Sequence, residues 1–167
     1  MANICRTDIR IEASEEAINY FREKYDNCND GPYPNIKETP HIADVFGADA
    51  ELFIDKVGSK WVQKYDVRED DTNAFEFSLE SAWYPPSDMM KEIHRQLSEI
   101  DPDVSIFGIY WDETYDPCGA YKIVDTGELI TIEGTPDIEE DEFEGDYYWD
   151  DVIEPLFDNL RNKLNIQ

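Results

Sequence analysis

The sequence predicts an α+β domain built on a mainly antiparallel sheet, and three observations predict it. Several short stretches alternate apolar and polar residues at period two, as half-buried strands do. Other stretches set apolar residues three and four apart, the spacing of one face of a helix. The order along the chain is strand, helix, strands, helix, strands, which two helices packed on one face of a sheet satisfy. At 167 residues, with 41% hydrophobic and 13% aromatic residues, the chain has the size of one domain and the material for a real core, despite a net charge of −26.

Residues 4–11 open the sheet, with Cys5, Thr7, Ile9 and Ile11 on one face and Arg6, Asp8 and Arg10 on the other. A helix follows. Ser14 is placed to cap it, Glu15 and Glu16 complement its dipole, and Ala17, Ile18, Phe21 and Tyr25 form its stripe. Residues 28–47, with Pro32, Pro34 and Pro40, read as an irregular connection holding one short helical turn at 42–46. Residues 51–57, 61–67 and 74–82 each alternate, and Gly58-Ser59 suits a tight turn between the first two, so a meander is expected.

Pro85 and Pro86 open a second helix, with Ser87 placed to cap it and Met89, Met90, Ile93, Leu97 and Ile100 as its stripe. Trp83, at the junction, is expected to seal the core. Residues 104–111, 119–124 and 129–133 read as further strands. This order fits a ferredoxin-like, split βαβ arrangement over residues 1–134. Residues 135–167 then comprise an acidic segment and a third helix, marked by Val152, Ile153, Leu156, Phe157, Leu160 and Leu164, that packs on the same domain; Pro155 is tolerable only in its first turn.

The charge is uneven. Residues 1–100 carry 21 acids against 11 bases, while residues 101–167 carry 19 against 3. The peak is IEEDEFEGDYYWDD at 138–151, eight carboxylates and four aromatics with no base. Such a coat disfavours nucleic acid and anionic membranes and favours basic partners. Three cysteines without paired spacing, and no apolar run near 18 residues, suit a reducing cytoplasm.

Three segments carry a resemblance: MANICRTDIRIEA at the start, FSLESAWYPP at 77–86 and DPCGAYKIVDTGEL at 116–129. Over residues 1–133 the chain resembles the YubB-like ferredoxin-like domain family of plasmids and phages, with Ala82, Trp83, Pro85, Pro86 and Gly119 matching in type and order. The connection at 28–47 and the extension after Gly134 depart from that pattern. The resemblance implies a fold and a mobile-element or viral origin, and brings no catalytic residue with it.

No catalytic, metal or cofactor signature emerges from the residues themselves. His94 lies beside a helical stripe and Cys118 has no oxyanion motif near it. A calcium loop from Glu140 to Asp151 has Gly145 in the right place, but Glu at its first position and Asp at its last are the wrong ligands. Asp112, Glu113 and Asp116 lack the His, Lys or glycine run that a divalent-ion hydrolase would add. The candidate partner-binding set is therefore Asp112, Glu113, Asp116, Asp137, Glu139, Glu140, Asp141, Glu142, Glu144, Asp146, Tyr147, Tyr148, Trp149, Asp150 and Asp151. Three readings stay open, in this order: a nucleic-acid mimic that blocks the basic surface of a host restriction or CRISPR-type defence protein, an interaction module with another target, and a divalent-cation enzyme.

Overall fold

The computed structural model describes residues 3–34, 38–136 and 149–166. Six strands, β1 (Ile4–Glu12), β2 (Val62–Asp70), β3 (Ala74–Ala82), β4 (Ser105–Asp112), β5 (Cys118–Ile123) and β6 (Leu129–Glu133), form one sheet in the order β2-β3-β1-β4-β5-β6. Every neighbouring pair is antiparallel. The alternation of β1 fixes the two faces. Ile9 stands opposite Phe77 on one side and Gly108 on the other, in the apolar layer, while Arg10 stands opposite Glu76 and Phe107.

The apolar layer is covered by α1 (Glu15–Asn27), α2 (Ile42–Phe46), α3 (Phe53–Val57) and α4 (Ser87–Ser98). Ser14 caps α1, its Oγ accepting from the Ala17 N–H at 3.3 Å. Phe21 sits at the centre of this core, with its ring 5.0 Å from that of Phe46 and 5.1 Å from that of Phe77. The opposite face carries a second, smaller core. A π-helical turn, Trp149–Ile153, runs directly into α5 (Glu154–Lys163), with Pro155 at the start of α5. Ile153, Phe157, Leu160 and Leu164 pack there on Ile109, Cys118 and Ala120. Thus α5 covers the β4–β6 half of this face.

Three expectations are corrected. Residues 51–57 are not a strand: Phe53–Val57 is the helix α3, closed by Gly58 at φ +87° with its N–H donating to Ile54 O at 2.7 Å. Phe53 and Val57, four residues apart, turn inward, while Leu52 and Ile54 are 63% and 49% exposed. A short apolar run cannot distinguish the two periods, and here tertiary packing chose the helix. Ser87 does not cap α4; Pro86 holds that position and the Ser87 hydroxyl donates to Pro85 O at 3.3 Å. Trp83, finally, does not seal the core: it is 41% exposed, beside Tyr84 at 61%.

Candidate interaction surface at one end of the sheet

The candidate residues that the structure describes gather at the end where β3, β4 and β6 finish and β1 and β5 begin. Asp112, the last residue of β4, is only 1% exposed. Its Oδ1 accepts from the Thr114 N–H at 2.8 Å, the Thr114 hydroxyl at 2.9 Å and the Asp116 N–H at 2.9 Å, and its Oδ2 accepts from Asn3 Nδ2 at 3.2 Å. A carboxylate so engaged ties the β4–β5 loop to the strand, as aspartates do in turns. Asp112 therefore organises the loop, and Glu113 and Asp116 are the carboxylates it presents to solvent.

Both flanks of the acidic run are anchored at one rung of the sheet. Trp111 pairs with Cys118. The Gly134 N–H donates to Cys118 O at 3.1 Å, and the Cys118 thiol donates back to Gly134 O at 2.9 Å. On the other flank, the Trp149 ring packs 5.1 Å from Trp111 and 6.0 Å from Phe157. Trp149 thus belongs to the docking of α5, whereas Asp150 and Asp151 beside it are exposed. Asp137, Glu139, Glu140, Asp141, Glu142, Glu144, Asp146, Tyr147 and Tyr148 lie outside the described residues.

Trp83, expected in the core, joins this end instead, with Tyr84 beside it. Trp83 adopts φ +70°, and the Tyr84 N–H donates across it to Ala82 O at 2.8 Å, a γ-turn of the strained, positive-φ kind. Pro86 follows at φ −76°, ψ 70°, where the Ser87 N–H donates to Pro85 O at 2.8 Å in a second, relaxed γ-turn. The Trp83 N–H donates to Asn3 O at 2.9 Å, so Asn3 links this turn to Asp112. In the sequence, the paired prolines of AWYPP are compatible with a turn here. The sign of φ at Trp83 was not legible there.

Electrostatics separate the two signs of charge. Arg6, Arg10, Arg22, Lys56, Arg68, Lys91, Arg95 and Arg161 are all in ion pairs with carboxylates of the chain itself. Lys64 donates to Tyr25 O and Cys28 O, and Lys122 to Leu164 O. Exposed carboxylates therefore outnumber the bases left free to face solvent. Burial, with Asp116 and Glu133 nearby, pushes the Cys118 thiol up to about 11, so it is a thiol and not a nucleophilic thiolate at neutral pH. His94 lies in the helix layer and Cys118 in the α5 core, with the sheet between them. Among the described residues no His, Cys, Asp or Glu cluster is arranged to hold a metal ion, and no helix is long and apolar enough to cross a membrane.

The face that α5 leaves bare forms a polar cleft of about 670 Å³ against that helix. Asp8 lies at its floor, accepting from the Ser78 hydroxyl at 2.7 Å and pairing with Arg68 at 2.8 Å. No family model, curated protein or solved structure matches this chain.

Proposed function

We propose that the chain is a non-catalytic acidic binding protein that occupies the basic groove of a nucleic-acid-binding protein in place of nucleic acid. A host defence complex of the restriction or CRISPR type is the partner class, in keeping with the resemblance to plasmid and phage proteins. We take its frame to be ferredoxin-like, because β1, α1, β2, β3, α4 and β4 follow one another in the split βαβ order with strands arranged β2-β3-β1-β4, to which α2 and α3 between α1 and β2, and β5, β6 and α5 after β4, are additions.

The observation that carries the reading is the segregation of charge. Most of the bases pair with carboxylates or carbonyls of the chain itself, and Glu113, Asp116, Asp150 and Asp151 stand exposed at the end where both flanks of the acidic run are anchored. Duplex DNA presents one negative charge per roughly 1.7 Å of its axis, so a competitor needs many carboxylates held on ordered elements. Capture from host lysate at low and high salt tests the proposal. A basic partner should be retained at low salt, released at high salt and displaced by added duplex DNA. Recovery of no basic partner at either salt, or capture insensitive to DNA, would overturn it. Charge reversal across 137–151 should abolish capture while leaving the fold intact.

A further inference from the structure

We propose that Trp83, Tyr84 and Glu133 form an anchoring site for an arginine side chain of the basic partner. The inference rests on the binding function proposed above and names the group that this end of the sheet would grip. Its first support is the backbone. A tryptophan at φ +70° is strained, and such strain persists only where the surroundings over-determine it. Here the strain turns two large aromatics outward while the following Pro85 and Pro86 are buried. Aromatics held outward on a rigid turn lose little freedom on binding, which suits an interface anchor.

The second support is the concavity beside Tyr84, which follows Trp83 in the turn. A pocket of about 300 Å³ opens between the first turn of α4 and the strands, lined by Tyr84, Pro85, Met90, Tyr110, Leu129 and Glu133 among others. Glu133 is exposed and accepts from the Tyr110 hydroxyl at 3.3 Å; no basic side chain pairs with it among the described residues. Burial and the Glu133 carboxylate push the Tyr110 phenol upward, so it remains a neutral donor. Aromatic faces beside an unpaired carboxylate, on a molecule of net charge −26, select a cation.

The third support is the chain's own use of this chemistry. Arg6 lies 3.8 Å over the Tyr65 ring while pairing with Glu80 at 2.8 Å. That arrangement seats a guanidinium between a π face and a carboxylate, and arginine satisfies it better than lysine because its planar group both stacks and donates in a fork. Tyr84 and Glu133 offer the same two partners to a guanidinium from outside.

The test titrates the full chain by calorimetry with an acetylated tetra-arginine amide and its tetra-lysine counterpart, at physiological salt. The arginine peptide should bind more tightly. Tyr84→Ser and Glu133→Gln should each weaken it about two- to five-fold and remove the preference over lysine, the scale of one exposed cation–π contact or one exposed ion pair. Asp150→Asn with Asp151→Asn should weaken both peptides alike. Trp83→Gly keeps the turn without strain while deleting the ring, and should lose the arginine preference with the fold retained; its thermal midpoint should lie above that of Trp83→Ala. Equal binding of the two peptides by the parent chain, or unchanged binding by Tyr84→Ser and Trp83→Gly, overturns the anchor. No nucleic acid enters this measurement. An arginine preference that these variants abolish supports the anchor even where captured partners ignore DNA and mimicry fails.

Discussion

At the scale of single residues, the buried carboxylates do structural work that their charge disguised. Asp112 looked like a surface ligand because two further acids follow it, yet it accepts three hydrogen bonds on one oxygen and one on the other. Asp112→Ala leaves those donors without a partner and should cost about 2–3 kcal/mol in urea unfolding, with Asp112→Asn costing less because one acceptor remains. Asp8 makes a different prediction. Burial raises its pKa above the ordinary 3.8, against the opposing pull of Ser78 and Arg68. The folded state then holds the proton more tightly than the unfolded one, so stability from this group is lost as pH rises from 3.8 through the raised folded value. Asp8→Asn should flatten that part of the stability–pH curve, measured by denaturant titration from acid to neutral pH. A steeper fall with rising pH in the variant would contradict the assignment.

Among the elements, α5 shows most clearly what an amphipathic stripe can and cannot announce. The spacing of Ile153, Phe157, Leu160 and Leu164 demanded a partner surface, but nothing in it named the face of β4–β6 that faces away from the other helices. Phe157 is buried against Trp111 and Trp149, at 5.8 and 6.0 Å between rings. Phe157→Ala should cost about 3–5 kcal/mol and shift tryptophan emission to the red as water reaches those indoles. Edge strand β2 shows a second limit. Its pairing with β3 slips between Lys64 and Asp66 and again between Val67 and Glu69, which breaks simple alternation and blunts an otherwise open edge. Tyr65, in the first irregularity, is the ring on which Arg6 stacks.

For the whole molecule, net charge is the dominant fact. Forty acids against fourteen bases cannot be neutralised by ion pairs, and the pairs that form bind most of the positive charge internally. Repulsion among the remaining carboxylates should make the fold respond to salt in the direction opposite to one held by surface ion pairs. Raising monovalent salt from about 10 to 150 mM shortens the Debye length from roughly 30 to 8 Å. The thermal midpoint should rise by about 3–8 °C, as a gain of about 1–2 kcal/mol would produce in a chain of this size. A midpoint that falls with salt would mean that the ion pairs on β1, β2 and β3 outweigh the repulsion.

The sequence by itself determined the antiparallel α+β frame, since the alternation of β1 and β3 and the stripes of α1 and α4 are local patterns with unambiguous periods. It likewise determined the acidity of the region that the candidate surface occupies. Only the tertiary structure decided that residues 53–57 coil, because both periods fit so short a run and the inward packing of Phe53 and Val57 settled it. Only it decided that Asp112 is an internal acceptor while Glu113 and Asp116 face water, and that Trp83 turns outward. Burial and the sign of φ at these positions depend on neighbours such as Asn3, more than seventy residues away along the chain, and no local pattern carries that information.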